Sequence, residues 1–168
     1  MIRAWVPAIL LALLAGCSRQ PSPEREVPPA ISQVDAVWVR VPVSPLATMG
    51  EGPAPDAVVM DVLLFGHQGG GMPVTGSLEI LFFEGKATQD LMNRKPFHVE
   101  TFSNAVLRRG TGSGLREGMG LLGVSYQGAV PWGAKPPACK EITIVGRYVP
   151  PEGSPVMSEP TSVILPPS

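Results

Sequence analysis

The chain has few of the residues that would point to a particular chemistry. Its 168 residues include only two cysteines and two histidines, so sites built from clustered Cys and His ligands have few candidates. No apolar run reaches the about 20 residues that a membrane-spanning helix needs. Lys and Arg number 13 against 14 Asp and Glu, for a net charge of -1. Because no basic stripe is present, the composition argues against nucleic acid as a partner.

Two glycine-rich stretches resemble nucleotide-binding motifs without their context. Residues 118–123 read GMGLLG and match G-x-G-x-x-G, but a strand-like sequence follows where that motif needs a helix. Residues 66–74 read GHQGGGMPV, and no Gly-Lys-Ser or Gly-Lys-Thr follows them. The first is interpreted as a flexible turn and the second as a hairpin loop between two strands. His67, His98 and Cys139 share no ligand-like spacing, so neither a metal nor a cofactor is predicted.

No catalytic motif is present either. The nearest match to G-x-S-x-G is GTGSG at 110–114, where the serine comes one place too late. The leading hypothesis is therefore a protein that is not an enzyme. An envelope hydrolase with a site assembled from distant residues, such as Asp61, His98 and Glu100, stays open as an alternative. A carrier of an apolar ligand stays open as well, because sequence does not show an interior cavity.

The amino terminus has the pattern of a signal peptide. Arg3 precedes an uncharged run over 4–14, and the small residues Ala15 and Gly16 precede Cys17. Leu-Ala-Gly-Cys resembles the lipobox of bacterial lipoproteins. The resemblance implies cleavage after residue 16, acylation of Cys17 with chains such as palmitate, and a location at the cell envelope, with the lipid bilayer as a partner.

A proline-rich segment separates Cys17 from the rest. Residues 18–32 contain four prolines, mixed charges and almost no large apolar side chain, so they cannot bury enough surface to fold. The predicted organisation is a lipoprotein signal peptide over 1–16, a lipidated cysteine and disordered tether over 17–33, and one domain over 34–168. Cys139 is then a lone thiol, and a plain loop residue, an intermolecular disulfide and a reactive thiol all stay open.

Short runs with period-two alternation predict strands, and Gly, Pro, Asn or Ser bound most of them. About seven strands in an antiparallel all-β sandwich are expected. A turn or two of helix is predicted over 86–94, and Asp61 is expected either to face outward from its strand or to be hydrogen-bonded. The predicted strands are 36–43, 57–65, 76–84, 97–107, 121–130, 142–149 and 161–165.

Three sequences carry a further resemblance. DVLLFGHQGGGMPVTGSLEILFFEG, YQGAVPWG and ITIVGRYVPPEGSPVMSEPTSVILP resemble small bacterial lipoproteins of unknown function with an immunoglobulin-like domain, over about 56–166. The resemblance implies an immunoglobulin-like β-sandwich without the paired cysteines of antibody domains, and it implies no activity.

Few aromatic residues are available for recognition. Trp132 lies in the Pro- and Gly-containing sequence AVPWGAKPP, where the ring either packs over one end of the sandwich or is exposed to a partner. In the exposed case, Tyr126 and Tyr148 would be its neighbours in a contact edge if their strands pair. The predicted function is a membrane-anchored binding or structural module, with an envelope protein as the possible partner.

Overall fold

The computed structural model describes residues 29–67, 69–88, 90–103 and 114–166. Cys17, the predicted signal peptide and most of the predicted tether lie outside these residues. The described chain is all-β, with one short 3-10 helix at Leu91–Asn93. Within the described ranges, no helix is long and apolar enough to cross a membrane. The strands are β1 Ala36–Arg40, β2 Leu46–Ala47, β3 Ala57–Phe65, β4 Ser77–Glu84, β5 His98–Ser103, β6 Arg116–Gly120, β7 Gly123–Pro131, β8 Glu141–Val149, β9 Val156–Met157 and β10 Thr161–Ile164.

The strands form two antiparallel sheets. In sheet 1 the order is β1-β3-β7-β6, and the short β2 pairs with the start of β3. In sheet 2 the order is β10-β8-β4-β5, and the short β9 pairs with the end of β8. In each sheet, two long strands lie inside. One edge is made of two separate strands, β1 and β2 in sheet 1 or β10 and β9 in sheet 2, and a single shorter strand forms the opposite edge. The arrangement fits the predicted antiparallel sandwich at this level.

Alternation along the long strands builds the core between the sheets. On β3, Met60 and Val62 are buried toward sheet 2, and on β4, Ile80 and Phe82 are buried toward sheet 1. Neighbouring residues on each strand point to the opposite face. Each such side chain contributes about 1.5–3 kcal/mol when fully buried, so this shared core is the main source of stability.

Strand β4 is apolar on both faces because its outer face is also covered. Leu81 and Phe83 form a second small cluster with Leu91 and Val145. Leu91 belongs to the 3-10 helix in the connection from β4 to β5, which folds back over sheet 2. The helical turn predicted over 86–94 is therefore present in a shorter form, and its function is to cover this face.

The strand predictions are confirmed in outline and wrong at several boundaries. Strand β1 ends at Arg40, not Val43, because Pro42 has no N–H to donate to a ladder. Val43 is fully exposed.

The strand expected from residue 121 begins at Gly123, and Leu121 and Leu122 form a hairpin turn to β6. The turn predicted over 118–123 is therefore too long, because residues 118–120 belong to β6, a strand that was not predicted. The hairpin loop predicted over 66–74 is wrong, because β3 and β4 lie in different sheets. Residues 104–107 of another expected strand lie outside the described residues.

The long strands give the sandwich two ends. We call tether end the one formed by residues 29–35, 66–76, 120–123 and 149–154, where the chain arrives from the amino terminus. Ile31 lies there, bridged to Val74. We call distal end the opposite one, formed by residues 54–56, 97–98, 131–140 and 164–166. The register supports the division, since Ser77 pairs with Val149 at one end of β4 and Glu84 pairs with Ile142 at the other.

Candidate binding groove at the distal end

The distal end has an open groove of about 510 Å³. Three separate chain segments form it, and most of their side chains are apolar. Lys140 supplies a positive charge at the rim. The lining residues are Ala54, Pro55, Trp132, Pro136, Pro137, Ala138, Cys139, Lys140, Leu165 and Pro166.

Trp132 forms the floor of this groove. It follows directly after β7, and its side chain is buried, with 3% exposed. Its backbone N–H donates to the Asp56 carbonyl at 3.1 Å, which joins the floor to the 54–56 wall. Gly133 follows with a φ of +95°, and a Cβ there would lie 2.8 Å from His98 Nδ1. Glycine is therefore required for the chain to turn between Trp132 and the imidazole.

The proline-rich wall at residues 136–140 is held by defined hydrogen bonds. The Ala138 N–H donates to Glu84 Oε1 at 2.9 Å. The Cys139 thiol donates to the Glu141 carbonyl at 2.8 Å, and the Leu165 N–H donates to the Lys140 carbonyl at 2.8 Å. Because prolines also restrict the backbone, the wall is formed before any ligand arrives.

The 54–56 wall is held in a similar way. The Asp56 carboxylate accepts hydrogen bonds from the backbone N–H groups of Met49 and Gly50, at 2.6 and 2.8 Å. The Asp56 N–H donates to the Ala47 carbonyl at 3.0 Å. One acidic side chain thus fixes the loop between β2 and β3, and with it the position of Pro55.

The three aromatic residues considered as possible partner contacts are all buried, and the strands of Tyr126 and Tyr148 lie in different sheets and do not pair. Tyr126 and Tyr148 belong to the core between the sheets, as does Trp132. The Val74 N–H donates to Tyr126 Oη at 3.1 Å, and Tyr148 Oη donates to the Ser32 carbonyl at 2.9 Å. Burial raises the pKa of Tyr148.

The exposed form of that hypothesis is therefore wrong in this structure, because the rings fill core space. The structure instead agrees with the other hypothesis for Trp132, in which the ring packs over one end of the sandwich. Trp132 also lines the distal groove, and Tyr148 lines a cleft at the tether end.

The residues of the hydrolase hypothesis are not assembled into one site. His98 Nε2 and Glu100 Oε2 are 3.2 Å apart on β5, and the imidazole packs against the ring of Phe82. Asp61 faces outward from sheet 1, next to Arg40 and Gln127 in the strand register. The expected outward orientation of Asp61 is confirmed, and it separates this carboxylate from the His98 and Glu100 pair.

The other residues with metal or redox chemistry are dispersed. In the part of the chain that the structure describes, no group of three or more His, Cys, Asp and Glu residues could hold a metal ion. His67 is exposed at the tether end, 3.9 Å from Asp35. Cys139 is a free, half-buried thiol at the distal end. His67 and Cys139 therefore lie at opposite ends of the sandwich.

Comparison of the chain with protein families, with characterised proteins and with solved structures finds no match.

Proposed function

We propose that the chain is a lipid-anchored protein of the cell envelope that acts by contact and not by catalysis. In this proposal, the acylated Cys17 attaches the chain to a bilayer, and the groove at the distal end binds an apolar segment of an envelope protein. The groove, with Trp132 at its floor and a fixed rim, is the observation that carries the proposed contact function.

We also propose that the sandwich is immunoglobulin-like. The strand order supports this: β1-β3-β7-β6 in one sheet and β10-β8-β4-β5 in the other correspond to the A-B-E-D and G-F-C-C′ orders of that fold. The chain passes between the sheets after β3, β5 and β7. Core residues take the place of the inter-sheet disulfide of antibody domains.

The size and shape of the groove favour a protein segment as its ligand. A volume of about 510 Å³ falls within the about 300–1,000 Å³ typical of ligand sites. The groove is open along one side, however, and a small-molecule site buries about 70–90% of its ligand. An apolar segment that continues onto the surrounding surface suits an open groove better, so the apolar-ligand carrier is the second hypothesis.

A larger cleft of about 650 Å³ lies at the tether end, beside Ser32 and residues 150–154. Its lining is mostly polar, so filling it would remove less apolar surface from water. The tether also enters the domain there, which leaves the distal groove as the site that faces away from the anchor.

The proposal is tested by crosslinking in intact envelopes, with full-length wild type and variants. Ala138→Trp fills the groove from its exposed wall without removing a core side chain. Ala134→Trp adds the same ring at an exposed position on the same connection that does not line the groove, and it is the matched control. We expect A138W to lose the crosslinked partner and A134W to keep it.

The anchor is tested in the same preparations with Cys17→Ser, which should move the protein out of the membrane fraction. A C17S protein that stays in the membrane fraction contradicts the lipid anchor. Equal crosslinking of A138W and wild type contradicts the groove. Recovery of a bound small apolar molecule, and no protein, would favour the carrier hypothesis.

A further inference from the structure

The hairpin between β6 and β7 presents large apolar side chains to solvent at the tether end. Leu121 is fully exposed, and Met119 and Leu122 are 41% and 45% exposed. We call Met119, Leu121 and Leu122 the apolar tip. Large exposed apolar groups that adjoin one another mark a contact surface more often than isolated ones do.

The apolar tip is held rigidly by the loop between β3 and β4. The Gly71 N–H donates to the Leu122 carbonyl at 2.5 Å, and the Val124 N–H donates to the Gly71 carbonyl at 2.8 Å. Gly71 bridges Phe65 on one side and Gly123 on the other, so it continues the sheet between β3 and β7. The leucines therefore project from a fixed turn.

The same loop receives the chain as it arrives from the amino terminus. The Ile31 N–H donates to the Pro73 carbonyl at 2.8 Å, and the Thr75 N–H donates to the Ile31 carbonyl at 2.9 Å. Residues 71–75 thus contact both the apolar tip and the point where the tether enters. The attachment point and the exposed leucines lie at one end of the molecule.

The length of the tether limits how far this end can be from the bilayer. The 12 residues from Cys17 to Pro28 can reach at most about 40 Å, the length of a fully extended chain. A tether of this length keeps the apolar tip at a high effective concentration near the membrane surface. A weak apolar contact is then sufficient to orient the domain.

The outer face of sheet 1, next to the apolar tip, carries residue types that are common at membrane interfaces. Trp38 is half exposed, and its ring centroid lies 4.8 Å from that of Phe65, just behind the tip. Arg40 and Arg116 follow farther from the tether end, at the two edges of a cross-strand row that also contains Asp61 and Gln127. Segments that bind at a membrane interface combine Leu, Trp and Phe with nearby Arg. The apolar side chains enter the boundary of the acyl chains, and the Arg side chains reach the lipid phosphates.

From these observations we propose that the apolar tip inserts into the surface of the bilayer that holds the anchor. The inference rests on the proposed lipid anchor. It adds a second membrane contact, which directs the tether end toward the lipid and the distal groove away from it.

The two tryptophans of the mature chain allow a direct test. Trp5 is removed with the proposed signal peptide, which leaves Trp38 near the apolar tip and Trp132 at the distal end. Full-length protein purified from envelope membranes is reconstituted into vesicles of phosphatidylethanolamine and phosphatidylglycerol that contain doxyl-labelled phosphatidylcholine. Quenching of tryptophan fluorescence by the doxyl lipid is measured, and a Trp38→Phe form identifies which emission is quenched.

We expect doxyl lipid to quench Trp38 and leave Trp132 unaffected. The double variant Leu121→Gln/Leu122→Gln should reduce that quenching at least about twofold, because the tip no longer enters the apolar boundary. Ile164→Gln removes an exposed apolar side chain at the opposite end and should change nothing. Both substitutions alter exposed side chains, and equal thermal unfolding curves verify that the fold is kept.

Flotation of the vesicles separates the two proposals. If wild type floats with the vesicles and Trp38 is quenched equally in wild type and the double variant, the tip inference is wrong but the lipid anchor is still supported. If wild type does not float, the lipid anchor is wrong and this inference falls with it. A third outcome is a crosslinked dimer that forms in wild type and Ile164→Gln but not in the double variant, while Trp38 quenching is the same in all three. The tip would then contact a second copy of the chain, and bilayer insertion would be wrong.

Discussion

The two ends of the sandwich each present apolar side chains to solvent, but they differ in shape and in the residues that support them. At the tether end, glycines allow close backbone approach, and the apolar tip projects outward. At the distal end, prolines and Trp132 line a groove. A projection needs no complementary surface and suits a fluid partner such as a bilayer, whereas a fixed groove suits a partner with its own shape. Similar hydrophobicity can therefore serve two different contacts.

The two described tryptophans give the largest expected contrast between the ends. Trp132→Ala should lower the free energy of unfolding by about 3–5 kcal/mol, because it leaves a cavity under the distal groove. Trp38→Ala should cost about 0.5–1.5 kcal/mol, since its ring is half exposed and mainly contacts Phe65. Urea unfolding of the two variants measures the difference. Equal costs would show that Trp132 is not the packed floor described above.

The next effect concerns the support of the apolar tip. A Cβ on Gly71 would lie 2.0 Å from the Val124 carbonyl oxygen, so Gly71→Ala must separate the loop from the hairpin. We expect a loss of about 1–3 kcal/mol in the free energy of unfolding. Gly52→Ala is the control, because a Cβ there meets nothing within 4 Å, and it should stay within about 0.5 kcal/mol of wild type.

A second measurement shows which part of the molecule the Gly71→Ala substitution loosens. Amide hydrogen exchange should speed up in Gly71→Ala at residue 71 and at Val124, whose N–H groups donate across this contact, and stay unchanged around Trp132. Unchanged exchange at the hairpin would mean that the loop does not hold the tip.

The strands with regular alternation could be predicted from the sequence, and the irregular ones could not. In β3 and β4, apolar side chains recur at every second position. Most positions between them are apolar as well, because the outer face of these strands is also partly buried. Strand β6 reads REGMG, where two glycines and two charges conceal the pattern, and pairing with β7 supplies what local preference lacks. Strands β2 and β9 have two residues each, which is too short for a period to appear.

The groove could be predicted only in part. The rarity of tryptophan and its proline-rich surroundings singled out Trp132. The walls, however, come from residues 54–55, 136–140 and 165–166, which are far apart in the chain, so only the tertiary pairing of the strands brings them together. The apolar tip falls within the turn predicted over 118–123, but Met119 belongs to β6. The exposure of the tip depends on how the loop at Gly71 packs, and no local pattern encodes that.

The smallest predicted effect concerns Tyr148, which joins the core to the entering chain through the Ser32 carbonyl. Tyr148→Phe should lower the free energy of unfolding by about 0.5–1.5 kcal/mol at neutral pH, because one buried hydrogen bond is lost. Burial raises the pKa of Tyr148 above its ordinary value of 10.0, so the unfolded chain releases the phenolic proton first. The stability of wild type should therefore fall as the pH rises through about 10 toward the folded pKa. The phenylalanine variant lacks this contribution, so its stability should decline less over the same interval. Unfolding measured from neutral to alkaline pH tests this difference, and parallel curves would mean that Tyr148 titrates alike in the folded and unfolded chain.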